Sequence, residues 1–305
     1  MIALTIRALV PVVLLIALGY TLRRSMITAE GFWSEAERLS YRVLLPALFL
    51  HSLATADTED LPVGALAGAL IASTVAVAGL VIACKPLMRL QGDAFTSVFQ
   101  GSIRFNNYIG VSIAAGLFGT EGVAFAAICN AAIVPTVNVL CVLVFAWFGT
   151  VRLHFSGIVR QLATNPLIVA CVGGILLQAL GLSLPSGIEP ALQALGAASM
   201  PLGLLCIGAA LRFGAVRSWA APILTSSSAK FALMPAATFL AAQLFGLGSH
   251  ALIIAVLFQA LPTASSSYIM ARQLGGDAPL MAGITATQTL LGIAAVPLVV
   301  AMVPV

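Results

Sequence analysis

Apolar runs of about twenty residues, parted by short polar breaks, recur along this chain and decide its solvent before any motif is considered. A bilayer core of roughly 30 Å is crossed by about 20 helical residues rising 1.5 Å each. Ten such runs are predicted, at roughly 3–22, 38–54, 62–84, 94–118, 122–148, 162–181, 190–211, 219–245, 250–273 and 279–302. Composition agrees: 61% of the 305 residues are hydrophobic and 8% are charged, where a soluble domain carries roughly a quarter charged. The first run closes on Arg23-Arg24 without a small-residue cleavage site, so it reads as a span and not a signal peptide.

Charge orients the bundle. Connections after odd-numbered spans carry Arg23 and Arg24, Lys85 and Arg89, Arg152 and Arg160, Arg212 and Arg217, then Arg272. Those after even-numbered spans carry Asp57, Glu59 and Asp60, then Glu121, then Glu189, then only His250. The positive-inside rule makes the odd connections cytoplasmic and places both termini in the periplasm of a bacterial inner membrane. The net charge of +4 is scattered at span ends, which is a topology signal and not a nucleic-acid patch.

Five spans per half, with the second half entering from the opposite side, predict an inverted repeat of residues 1–150 and 151–305. "RVLLPALFL" with Pro46 answers "ASMPLGLLC" with Pro201, and "FQGSIRFNNY" (99–108) answers "FQALPTASSSY" (258–268). These pairs fall in spans two and seven, and four and nine. The fold class expected is therefore an all-α polytopic membrane protein of two inverted five-helix repeats.

Spans four and nine are each predicted to break. Asn106-Asn107 are poor helix formers and good caps. Pro262 removes a backbone donor, and Thr263, Ser265, Ser266 and Ser267 follow it. Paired discontinuous helices mark a transporter's binding site near the bilayer midplane. Arg104 lies 11 residues past Asp93 at the cytoplasmic edge, about 16 Å in. Lys230 lies as far past Trp219.

Every acidic residue sits at a span end or in a loop, so neither midplane cation has an intramembrane carboxylate to pair with. Two readings stand for each: it binds an anionic substrate, helped by the half-helix N-termini near Asn107 and Ser266, or it hydrogen-bonds carbonyls freed by the breaks. Asn130 and Gln288, each about ten residues into its span, line the cavity or join helices.

Enzyme signals fall away. "SSAK" (227–230) reads as S-x-x-K, but its partner motifs are absent and it lies inside a span. Cys84, Cys129, Cys141, Cys171 and Cys206 read as apolar packing residues. His51, His154 and His250 form no metal-ligand pattern, Gly64-x-x-x-Gly68 reads as helix packing, and no phosphate-binding loop exists to drive a pump. No cofactor is called for. A channel would want a continuous polar lining and a membrane sensor a soluble output domain, so a secondary carrier is the reading kept.

"RFNNYIGVSIAAGLFGTEG", "PLGLLCIGAAL", the lysine of "SSSAKFALMP" and "ALPTASSSYIMARQLGGDAPL" together resemble the bacterial branch of the auxin efflux carrier family, which includes the plant PIN carriers. The resemblance covers essentially the whole chain. It implies organic anions as cargo, such as malate, malonate or an auxin-like acid. It further implies a scaffold of spans 1, 2, 6 and 7, a transport domain of spans 3–5 and 8–10, elevator-type movement, and a homodimer through the scaffold helices. The substrate site expected from the breaks and the midplane polar residues comprises Arg104, Asn106, Asn107, Tyr108, Lys230, Pro262, Thr263, Ser265, Ser266 and Ser267, with Asn130 and Gln288. Where the plant crossover has a Pro-Asn pair, this chain has Phe105-Asn106-Asn107, so auxin itself does not carry over. No embedded Asp or Glu offers a proton relay or sodium cage. Potential-driven efflux is the first expectation for coupling. Proton coupling through Lys230, or sodium- or proton-coupled symport of the bile-acid transporter type, is the alternative.

Overall fold

A computed structural model describes residues 2–55, 62–149, 164–211, 219–264 and 266–303. Ser265, His154 and the connection charges Asp57, Glu59, Asp60, Arg152, Arg160, Arg212 and Arg217 lie outside the described residues, as does the start of predicted span six. Among the described residues every regular element is helical: α1 (Ile2–Ser25), α2 (Glu30–Leu39), α3 (Leu45–Thr55), α4 (Val63–Ala83), α5 (Lys85–Met88), α6 (Gly92–Ile103), α7 (Asn107–Phe148), α8 (Pro166–Ala179), α9 (Glu189–Ala210), α10 (Ala220–Ser228), α11 (Met234–Leu244), α12 (Ser249–Gln259), α13 (Ser266–Leu274) and α14 (Ala278–Ala301). Five stretches are long and apolar enough to cross a membrane: Ala3–Ser25, Val63–Ala83, Gly92–Phe148, Glu189–Ala210 and Ala278–Ala301. Pro166–Ala179 and Ser249–Gln259 are shorter apolar helices. This is the architecture of a polytopic membrane protein.

Two π turns interrupt the helices. Ser40–Leu44 joins α2 to α3, and Ala229–Leu233 joins α10 to α11. The first helical stretch of span two therefore starts at Glu30, well before the predicted 38. Its sequence EGFWSEAERL is amphipathic, and hydropathy alone stops at the polar face.

Helical conformation is lost at 104–106, between α6 and α7, and at 260–264, between α12 and α13. Asn106 starts α7 by the expected means: its Oδ1 accepts from the backbone N–H of Tyr108 at 3.1 Å and of Ile109 at 3.3 Å, replacing partners that a helix start lacks. Asn165 caps α8 in the same way, through Leu167 and Ile168. Between predicted spans four and five the helix α7 runs on, kinked at Gly119 with φ of 58° and ψ of −134°. Only glycine adopts that backbone without strain.

Packing divides the helices into two groups. α1 lies along α9, α8 along α3, and α3 along α9. Separately α4 packs on α11, α6 on α10 and α14, and α12 on α11 and α4, while α7 touches both groups. The half-helices α6 and α12 are buried almost throughout, with Phe95, Phe99, Ile103, Ile254, Leu257 and Phe258 in the core.

Candidate functional site

Between the two groups lies a cavity of about 840 Å³. One wall comes from the breaks and their neighbours: Arg104, Asn106, Asn107, Tyr108, Ala264 and Ser266, with Asn138 of α7 and Ile269, Met270 and Gln273 of α13. The opposite wall comes from α2 and the π turn after it (Ser34, Glu35, Glu37, Arg38, Tyr41, Arg42) and from the start of α8 (Thr164, Asn165, Pro166).

Arg104 occupies the first break in extended backbone, its N–H closing α6 on Gln100 O at 2.8 Å. Its guanidinium reaches across to both neighbouring helices. Nη1 donates to Asn138 Oδ1 at 2.9 Å and approaches Met270 Sδ at 3.5 Å, while Nη2 donates to Ser266 Oγ at 3.2 Å. Nε is buried and has no partner. All of these neighbours are neutral, and among the described residues no carboxylate lies within ion-pair distance of Arg104. A half-buried cation held by neutral groups keeps its attraction for an anion. The helices α7 and α13 begin at the same wall, adding the positive ends of their dipoles.

The remaining sequence-predicted residues lie elsewhere. Gln288 sits behind the breaks, where its Oε1 accepts from Thr263 N at 3.0 Å and its Nε2 donates to Gly101 O at 3.0 Å and to Ser226 Oγ at 3.2 Å. One amide thus ties α14 to both breaks and to α10. Thr263 Oγ1 and Ser267 Oγ share a hydrogen bond at 3.1 Å. Lys230, fully buried in the second π turn, donates from Nζ to Ile103 O at 3.4 Å, the carbonyl that ends α6. Asn130 turns back on its own helix, donating to Ala126 O at 2.8 Å. None of Lys230, Asn130, Pro262, Thr263, Ser267 and Gln288 lines the cavity. Tyr108 does, and its ring lies over Gly203 of α9, where a Cβ would collide with it.

Sequence reasoning missed Asn138 and the whole opposite wall. Asn138 follows Asn130 by eight positions, about two helical turns, so an amide stripe along α7 was there to be read. The residues from Ser34 to Arg42 gave no such signal, because a polar helix face looks the same whether it meets bulk water or a cavity.

A comparison with known families places residues 4–300 in the family described as "Membrane transport protein". The chain belongs to this family, the auxin efflux carriers. Its relatives include an "Uncharacterized transporter" of Methanothermobacter thermautotrophicus, 22% identical over 295 residues that cover 94% of both chains. Another "Uncharacterized transporter", from Methanocaldococcus jannaschii, is 27% identical over 217 residues, 69% of this chain and 70% of the relative. A Rhizobium meliloti protein bearing the name "Putative malonate transporter" is 24% identical over 269 residues, 83% of this chain and 81% of the relative. This family member is accordingly a membrane transporter.

Proposed function

We propose that this auxin efflux carrier family member moves a small organic anion, a carboxylate, across the inner membrane as a secondary carrier, in the direction of efflux. One observation carries the reading. Arg104, at the wall of a large cavity where two half-helices begin, carries a charge that no carboxylate among the described residues neutralises, and it is held by neutral groups that include Asn138, Ser266 and Met270. A carboxylate supplies the missing charge and accepts from the guanidinium, beside the positive ends of two helix dipoles. The name of the Rhizobium relative supports a carboxylate cargo.

In this reading the chain crosses the membrane ten times as two inverted repeats, with both termini periplasmic. The packing supports that arrangement, since α1 lies along α9 as α8 lies along α3. Under an exchange of halves these two contacts are the same contact. The group containing α1, α3, α8 and α9 serves as the scaffold, through which the chain forms a homodimer. The group containing Arg104 moves against it in elevator fashion and carries the anion. The potential drives an anion out of a negative-inside cell without a coupled ion.

Radiolabelled flux from proteoliposomes, screened over mono- and dicarboxylates, tests the proposal. Carriage predicts a flux that saturates with one or more carboxylates and accelerates when the anion's exit is favoured by the potential. A flux that rises linearly with concentration would assign a channel, and no flux of any carboxylate would sink the reading.

A further inference from the structure

Resting on that reading of the cavity as an anion site, we propose that Arg42 is a second anion-binding residue, on the wall opposite Arg104, so that the cargo bridges the two guanidinium groups as a dianion. Arg42 lines the same cavity as Arg104. It is exposed there, and among the described residues it has no hydrogen-bond or ion-pair partner. Its neighbour one turn back, Arg38, is by contrast within 3.6 Å of Glu35. Among the described residues Arg42 is therefore the cation of that wall left free to meet a ligand.

Local structure aims it. Arg42 lies inside the π turn Ser40–Leu44, which inserts an extra residue into the helical register and recurs at functional sites. Ser40, Leu44 and Leu45 are buried while Tyr41 is half-buried and Arg42 exposed. The wide turn thus lets the leucines reach the core and still presents Tyr41 and Arg42 to the cavity. The wall is braced beside it: Asn165 Nδ2 donates to Tyr41 Oη at 3.3 Å, while Asn165 Oδ1 caps α8.

Two guanidiniums lining one cavity from facing walls suit a compact molecule with a carboxylate at each end, since each forms charge-assisted, fork-shaped pairs. A monocarboxylate satisfies only one of them. Because Arg42 and Arg104 belong to different helix groups, such a cargo contacts both sides of the moving boundary.

The test uses purified full-length protein and titration calorimetry with malonate and succinate, each against its monomethyl ester, which has nearly the same shape and one charge fewer. The parent should bind a diacid at least about 10-fold tighter than its monoester, and Arg42→Gln should remove that preference, weakening the diacid about 10- to 150-fold. Its affinity for the monoester should stay within about twofold. Arg42→Lys should keep the preference in part, as a point charge replaces a fork. Arg104→Gln should weaken diacid and monoester alike. If the parent binds monoesters as well as diacids, or if Arg42→Gln leaves the preference intact, Arg42 is not in the site while the carboxylate reading stands. If the parent binds none of the four, and Arg104→Gln changes nothing, both fail.

Discussion

Two polar regions lie within the apolar helices of this transporter, and they treat hydrogen bonding in opposite ways. Behind the breaks, the Gln288 amide uses both its ends, bridging Thr263, Gly101 and Ser226 without exposure. Gln259 joins α12 to α4 through one end only: its Nε2 donates to Thr74 Oγ1 at 2.7 Å and reaches Leu70 O and Ser73 Oγ, while its Oε1 is buried without a partner. At the cavity, Arg104 is half-buried, keeps one unpartnered nitrogen and meets no acid among the described residues. Polar groups buried in apolar surroundings are normally satisfied by the protein itself. The Gln288 cluster obeys that rule and holds the breaks in shape, whereas the Arg104 wall leaves its charge to be satisfied from outside.

The comparison breaks most easily at Gln288. Gln288→Leu strips partners from the Thr263 N–H and the Gly101 carbonyl, and each buried orphan costs about 1–3 kcal/mol. Thermal unfolding in detergent should report a loss of about 3 kcal/mol or more. A variant as stable as the parent would mean that the breaks are held by something else.

Asn138 sharpens the other side. It fixes Arg104 from α7, so Asn138→Ala should weaken carboxylate binding by about 10-fold, the scale of one charge-assisted bond, with thermal stability close to the parent's. A large fall in stability with affinity intact would move Asn138 into the structural group.

Lys230 should show the smallest effect. Among the described residues its Nζ reaches only the Ile103 carbonyl, and it does not line the cavity. Lys230→Met, which keeps length and removes a buried charge that is expensive to desolvate, should leave carboxylate affinity within about twofold. A loss above about 10-fold would place Lys230 in the anion's path after all, together with the proton-coupled alternative read from the sequence.

What the sequence disclosed follows the same division. Interruptions carried by strong local chemistry were legible: Asn106 caps α7, and Pro262 stands where α12 has ended. Arg104 was legible because a cation deep in an apolar run needs a reason. The π turns at Ser40–Leu44 and Ala229–Leu233 were not, since helical periodicity barely changes over five residues. Nor was the split of polar residues between cavity and interior. Asn130, Gln288 and Lys230 are polar residues within apolar spans as Asn138 and Arg104 are, and the direction in which each helix face is turned separates the two sets. That direction is set by packing across the whole bundle, as where α14 meets α6 and α10.

The most direct measurement is carboxylate affinity of purified Arg104→Gln against the parent, at matched thermal stability, with Arg104→Lys alongside. Loss of the charge while bulk is retained should weaken binding about 10- to 150-fold, corresponding to about 1.5–3 kcal/mol for a charge-assisted bond. Lysine should recover part of that, because it restores charge without the fork. Equal affinity in the parent and Arg104→Gln would contradict the account, leaving Arg104 as a brace between α7 and α13 and the anion site elsewhere.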